Sequence, residues 1–363
     1  MRRREFNSNL LGLPLAAMLP SMAWAAPDFD PRLLPPGGSI TDVPGLKVGQ
    51  FTHAERPTGC TVMMCEAGAT AGVDVRGSAP GTRETDLLSP TNQVQQVNAI
   101  LLSGGSAYGL DAASGVMRYL EEQKSGYKIG QLGVVPIVPA AILMDLGVGN
   151  FKIRPNAESG YKACLAATTG PVAEGCVGAG AGATIGKMFG PKFSMKSGLG
   201  TSSAKIGDTG IVVGAIVAVN AVGDVVNPQT GKVVAGARNE DGKGYRDSMA
   251  AMMGGYRVVI QGGANTTIGV VATNAKFTKT QMTKIAQMAH DGYARAINPV
   301  HTMGDGDTIF SMSTGTSNVV ADVSAIGAIA ATVMSRAIVR AAMMATSIPE
   351  LGLVAYRDYA GRG

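Results

Sequence analysis

Aromatic residues make up only 5% of this sequence and charged residues only 16%. Such low charge beside a hydrophobic content of 45% excludes a disordered chain and describes a well-cored globular one. Few aromatics with 50 glycines point to tight turns and closely approaching backbones, not to an aromatic core. Histidine is scarce as well: His53, His290 and His301 match no metal-ligand spacing, and H-E-x-x-H is absent. No C-x-x-C joins Cys60, Cys65, Cys164 and Cys176, so a zinc centre is not expected. In an oxidising compartment these four cysteines allow three connectivities, and their spacing does not choose among them. No Lys/Arg cluster follows the first 25 residues, which argues against nucleic acid or a membrane surface as partner.

The N-terminus reads as an address. Residues 1–25 combine a basic head, an apolar centre and Ala23-Trp24-Ala25, a small-x-small cleavage pattern. Arg3-Arg4-Glu5-Phe6 resembles a twin-arginine export signal, with a plain secretory leader as the alternative. Either one places the mature chain outside the bacterial cytoplasm, periplasmic or secreted. Part of the formal net charge of +5 leaves with this leader, as does Trp24, the one tryptophan.

Past the leader no Pro/Gly/Ser linker and no internal repeat divides the chain. Strands and helices alternate, which predicts one layered α/β domain with sheets sandwiched between helix layers. "VNAILLSGGSAYGLDAASGVMRYLEEQ" reads as a strand, a turn and a helix over 107–122. "GVVPIVPAAIL" suits a short strand, "AESGYKACLAATTG" a helix ending at Gly170, and "GIVVGAIVAVNAVGDVVNPQTGKVV" two strands joined by a turn at 221–223. Residues 268–273 suit a strand. Thr278-x-x-Gln281 is a capping box before a helix with Met282, Ile285, Ala289 and Tyr293 on one buried stripe. "TIFSMST" predicts a strand, and 319–345 a buried core helix whose uncharged run is too short to span a membrane.

Two familiar motifs fail. Gly186-Lys187 lacks the first glycine and the hydroxyl residue of a phosphate loop, since Ala181 and Met188 hold those places. "GGSAYG" misses the nucleophile elbow by one residue, with Tyr108 where Gly is required after Ser106.

"QGGANTTIGVVATNA" supplies a different chemistry. Read alone, Asn265-Thr266-Thr267 is an ordinary turn into a strand. A threonine hydroxyl is a poor nucleophile without an adjacent base. If the bond before Thr266 is cut, the freed α-amino group, with an ordinary pKa of about 7.7–8.0, is that base. The cut itself can start with Thr266 Oγ attacking the Asn265 carbonyl, helped by an unusual backbone at Gly262-Gly263.

Seven stretches in order resemble one family: "APGTRETDLL", "LLSGGSAYGLDAASGVMRYLEE", "VPAAILMDL", "GAGAGATIGKMFG", "VGAIVAVNAVGDVVNP", "NTTIGVVATNA" and "RAINPVHTMGDGDTIFSMSTG". The chain resembles the self-processing L-aminopeptidase/D-amidase-esterase family, which includes the β-peptidyl aminopeptidases and nylon-oligomer (6-aminohexanoate-oligomer) hydrolase. The resemblance implies an αββα sandwich of the N-terminal-nucleophile-like, ornithine-acetyltransferase type. It implies self-cleavage after Asn265 into an α part, residues 26–265, and a β part, residues 266–363. Thr266 is then the nucleophile, where several relatives use serine. Asp305 and Asp307 match an acidic pair that orients it; their i, i+2 spacing puts both carboxylates on one side of an extended segment. Asn220 matches an oxyanion donor, and Lys187 a site lysine that pairs with the aspartates and lowers the amine's pKa. Without the resemblance these four suit a polar turn, a turn asparagine and a solvated lysine. Met144 stands where relatives often carry a tyrosine near the substrate, an apolar thioether in place of a phenol. The turn "GTRETD" either lines the site or is an ion-rich surface turn. Short peptides or amino-acid amides with a free amine are the implied substrates, with no cofactor or metal, and a homo-oligomer, often a tetramer, is the implied assembly. The alternatives are acyl transfer to an amine, as in the ornithine acetyltransferases of this fold, and a non-catalytic periplasmic binding protein.

Overall fold

Alternation along the long strands decides the architecture. The protein is seen in a computed structural model that describes residues 34–257 and 265–361. The leader with Trp24, and Gly262-Gly263, lie outside the described residues. Nine strands form one mixed sheet: β1 Lys47–Thr52, β2 Gly59–Val75, β3 Thr82–Arg83, β4 Gln96–Ser103, β5 Ala140–Ile142, β6 Leu199–Lys205, β7 Val212–Asn220, β8 Thr266–Thr273 and β9 Thr308–Ser313. Their order is β6-β7-β8-β9-β2-β4-β5-β3, with β1 also on β2. β8 runs parallel to β9 and β4 to β5, while the other pairs are antiparallel. The helices among the described residues are α1 Ala112–Glu122, α2 Ala157–Leu165, α3 Ser248–Met253, α4 Lys279–Ala296 and α5 Val323–Met343.

From β7, Val213, Ala215, Val217 and Val219 face a core shared with Met282 and Tyr293 of α4 and with Val333 and Met334 of α5. Val212, Ile216 and Ala218 face the other way, into a second core. Met63, Cys65, Ala69 and Ala71 of β2 enter that same second core. Cys60, Val62 and Met64 of β2 instead meet Val116 and Leu120 of α1 and Ala163 and Cys164 of α2. The order of layers is therefore α4/α5, sheet, sheet, α1/α2: an αββα sandwich, as expected. One strand links the two sheet layers. β2 is 17 residues long, and its pairing with β4 shifts register between Met64 and Ala69, an irregularity of the kind that turns a strand.

The capping box at Thr278 and Gln281 forms, and Met282, Ile285, Ala289 and Tyr293 are buried as their spacing predicts. α5, capped by Asp322, is a buried core helix, although by length and composition alone it could cross a membrane. Other expectations shift. The helix over 107–122 begins as a 3-10 turn, Ser106–Asp111, before α1. The strand around Pro136 and Pro139 splits into Gly133–Val135, in a hairpin with Tyr127–Ile129, and β5, because proline has no N–H for a ladder. The helix expected to reach Gly170 stops at Leu165, since Thr168 exchanges backbone hydrogen bonds with Val48 of β1 at 2.9 and 3.0 Å. The turn at 221–223 exists, yet the strand after it, Asp224–Val226, joins a separate three-stranded sheet. Cys60, Cys65, Cys164 and Cys176 are all unpaired, and burial pushes the Cys164 thiol up to about 12.

Candidate active site

Asn220 ends β7, Thr266 begins β8, and the antiparallel register makes them direct partners. Opposed residues put their side chains on the same face, so amide and hydroxyl lie side by side. Thr267 pairs with Val219 and points to the opposite face, toward the α4/α5 core. Its hydroxyl is buried with no hydrogen-bond partner among the described residues. Thr266 and Asn265 are both buried. Thr266 Oγ1 donates to the carbonyl oxygen of Asn265, and the backbone N–H of Gly306 donates to that same oxygen at 3.0 Å.

The acidic pair lies against this junction. Asn265 forms a parallel bridge with Asp305. Asp307 Oδ1 accepts from the Thr267 N–H at 2.7 Å, and its Oδ2 accepts from the N–H and Nδ1 of His301 at 3.1 and 2.8 Å. Asp305 Oδ2 accepts from the N–H and Oγ1 of Thr302 at 2.9 and 2.6 Å, while Oδ1 is buried with no partner among the described residues. Burial, aided by the charge of Asp307, raises the pKa of Asp305. Both aspartates are buried, and the polar turn before β9 is there as well, closed by the Asp305 N–H on the Thr302 carbonyl at 3.1 Å. Gly306 between them must be glycine: a Cβ there would sit 2.5 Å from the Ala79 carbonyl oxygen and 2.9 Å from Thr266 Oγ1.

Lys187 reaches the site through backbone pairing. The N–H groups of Gly186 and Lys187 donate to the carbonyls of Gly223 and Val222 at 3.0 and 2.9 Å, which brings the Gly-rich segment alongside the end of β7. Lys187 Nζ then donates to the carbonyl oxygen and Oδ1 of Asn220 at 3.0 and 2.9 Å. It is not the solvated lysine of the alternative reading. Burial lowers its pKa to about 7, against the opposing pull of Asp305, Asp307 and Asp145. It is therefore a charge partner for the aspartates only below about pH 7. Asn220 Oδ1 also accepts from the Thr184 N–H at 3.0 Å, and Nδ2 donates to the Met144 carbonyl at 3.1 Å. These bonds fix the orientation of the amide and leave the second Nδ2–H free of them.

The Lys187 shift has a measurable consequence. Its folded-state pKa of about 7 lies below the ordinary 10.5, so between these values the unfolded chain binds more protons and stability rises with pH. Below about 7 both states carry the proton, and the cost of the buried ammonium is fully present. Urea unfolding at pH 7–9.5, of chains kept whole by Thr266→Ala, should show this rise as the difference from the same chains carrying Lys187→Met, with a slope of at most ~1.4 kcal/mol per pH unit. Lys196 and the buried thiols titrate in both and cancel.

Met144 is partly buried and sits in a loop held from behind. The Arg56 side chain is fully buried and donates to Asp145 Oδ1 at 2.8 Å and to the carbonyls of Val148 and Ile153 at 2.7 Å. Asp145 also accepts from Thr58 Oγ1 at 2.6 Å and from the Gly105 N–H at 2.8 Å. Of "GTRETD", Arg83 turns away to Ser114 and Met117 of α1; the preceding Ala79 is what reaches the site, its N–H on the Asp305 carbonyl at 2.9 Å. Ser106 has φ +54 in a strand-to-helix turn, but the three histidines bond elsewhere: His53 to Ser159, His290 to the Asp74 carbonyl and His301 to Asp307. No serine triad forms there among the described residues.

A family model described as peptidase family S58 matches residues 38–352. The chain belongs to peptidase family S58. As an S58 member it is a hydrolase of peptide or amide bonds, which sets aside the non-catalytic binding protein. An uncharacterised aminopeptidase of Mycobacterium bovis is 41% identical over 350 residues, covering 88% of this chain and 97% of the relative. A 6-aminohexanoate-oligomer endohydrolase of a Kocuria species is 32% identical over 322 residues, covering 83% and 85%. The L-aminopeptidase D-Ala-esterase/amidase of Ochrobactrum anthropi, described as a new variant of the N-terminal-nucleophile hydrolase fold, superposes with a TM-score of 0.65 at 18% identity over 89% of this chain and 92% of that one. That likeness is one of fold.

Four groups to which residue type did not point also meet at or behind this junction: the Gly306 N–H, the Thr184 N–H, His301 and the Arg56–Asp145 pair. Backbone donors leave no trace in residue type. His301 lay inside the quoted "NPVHTMGDGDT" stretch, and its spacing to Asp307 was the available signal.

Proposed function

We propose that this S58 hydrolase is an exported, self-processing N-terminal-threonine amidohydrolase acting on short peptides or amino-acid amides. The observation that carries it is the Asn265–Thr266 junction, where nucleophile, scissile carbonyl and a backbone donor to that carbonyl already meet. Thr266 Oγ attacks the Asn265 carbonyl carbon; a C–O bond forms, the C–N bond breaks, and the hydroxyl proton passes to the departing nitrogen. The Gly306 N–H stabilises the oxyanion between these events. Water then hydrolyses the ester, leaving Asn265 as a C-terminal carboxylate and Thr266 with a free amine.

In the mature enzyme that amine takes the Oγ proton as Thr266 attacks the substrate carbonyl, and returns it to the leaving amine. The free Nδ2–H of Asn220 faces the developing oxyanion, with Lys187 and Thr184 holding the amide in place. Water releases the acyl group, and neither a metal nor a cofactor takes part. The relatives' names support two kinds of substrate: an aminopeptidase implies amides bearing a free amine, and a 6-aminohexanoate-oligomer endohydrolase implies short amide oligomers. Met144 favours an apolar substrate contact where a phenol would hydrogen-bond. Export through residues 1–25 and assembly as a homo-oligomer complete the proposal.

Intact mass of the purified protein tests it. Two chains, residues 26–265 and 266–363, are expected, together with hydrolysis of L-amino-acid amides or 6-aminohexanoate oligomers. A single chain unchanged on long incubation would overturn self-processing, and amine acylation in preference to hydrolysis would turn the reading to a transferase.

A further inference from the structure

We infer that His301 is the positioning residue for Asp307, an assignment that rests on the proposed N-terminal-threonine reading. Asp307 is buried, and its two oxygens look in different directions. Oδ1 holds the N–H of Thr267, the residue after the nucleophile, at 2.7 Å. Oδ2 is held from behind by one residue twice, by the backbone N–H of His301 at 3.1 Å and by its ring Nδ1 at 2.8 Å. Such a double grip needs a special backbone. His301 has φ +56, the left-handed region that a residue with a side chain rarely adopts, and there its own N–H and ring converge on one oxygen.

The ring has no freedom to swing away. Tyr293 stacks on it, centroids 5.9 Å apart at 26°, and His290 meets it edge-on at 4.9 Å. Both neighbours are themselves anchored, Tyr293 by its hydroxyl to the Thr308 carbonyl at 3.3 Å and His290 through Nε2 to the Asp74 carbonyl at 3.0 Å. Since the carboxylate accepts at Nδ1, that nitrogen carries the proton, and Nε2 is left buried without a partner among the described residues. The imidazole thus spends its one bond on Asp307. A carboxylate clamped on Oδ2 cannot rotate, so the acceptor for the Thr267 N–H stays fixed. Thr266 is tied to that N–H by a single residue of backbone. Releasing the clamp lets the new N-terminus drift relative to a substrate carbonyl, which costs turnover more than binding.

Two variants separate this role from packing. His301→Asn keeps an N–H near the position of Nδ1, and asparagine tolerates a left-handed backbone. His301→Leu keeps much of the volume and removes the donor; His301→Gly, which suits φ +56, replaces it if the leucine chain does not fold. Amide hydrolysis and the rate of chain splitting are measured for each beside wild type. The donor-less variant should lose about 10²-fold in kcat with KM changed by less than about threefold, as a small misplacement of the nucleophile predicts. His301→Asn should recover most of that loss and split at close to the wild-type rate. A folded donor-less variant with wild-type kcat, or an asparagine variant as impaired as leucine, overturns the positioning role alone. A wild type that stays whole and inactive overturns it together with the proposed function.

Discussion

Replacing Thr266 by alanine should leave the chain whole and abolish amide hydrolysis, while Thr267→Val splits and turns over like wild type. The two threonines are neighbours in sequence and opposites in space. Thr266 shares a face with Asn220 and has its hydroxyl on the Asn265 carbonyl. Thr267 contributes its backbone N–H to Asp307, and its hydroxyl is buried with no partner among the described residues. With the proposed nucleophile gone and no amine freed to act as its base, no second group is left to attack, so a fall in kcat of at least about 10⁴-fold is expected. Removing an unpartnered hydroxyl costs no hydrogen bond; Thr267→Val should be neutral or stabilising by up to ~1 kcal/mol. Denaturing electrophoresis and intact mass read the splitting, an amide-hydrolysis assay reads kcat, and thermal melting reads the stability. A Thr266→Ala chain that still splits would mean that the hydroxyl is not the attacking group.

Asn220→Asp should lower kcat by about 10²–10³-fold, the loss typical of one oxyanion donor. The aspartate keeps acceptors for the Thr184 N–H and Lys187 Nζ, but it also sets an oxygen against the Met144 carbonyl that Nδ2 bonded, so kcat is measured on protein shown to be folded by thermal melting. Asn220→Ala is the less informative change. It strands the Thr184 N–H as well, a buried donor whose loss costs about 1–3 kcal/mol. If Asn220→Asp retains wild-type kcat, Asn220 is scaffolding for Lys187 and not a donor to the oxyanion.

Local elements were legible wherever local signals acted alone. Thr278 and Gln281 cap α4 because a capping box is complete within one turn, and the Met282–Ile285–Ala289–Tyr293 stripe needs no information beyond its spacing. Predictions failed where a distant strand competed for backbone. α2 ends early because Thr168 bonds to Val48, more than a hundred residues away in sequence. The turn at 221–223 closes no hairpin because Gly186 and Lys187 take its carbonyls.

The same division runs through the site. Thr266, Asn220, Lys187, Asp305 and Asp307 stand out only through the seven ordered stretches that resemble the family; residue type alone leaves Asn265-Thr266-Thr267 an ordinary turn. The amino-acid sequence by itself determined the family and the layered fold, and through the family resemblance it pointed to Thr266 as the proposed nucleophile. Which face each threonine takes, the Gly306 N–H on the Asn265 carbonyl and the grip of His301 on Asp307 were decided only by tertiary structure. Side-chain face follows strand register, and register is settled by pairing between segments far apart in the chain; a backbone donor has no side chain to announce it.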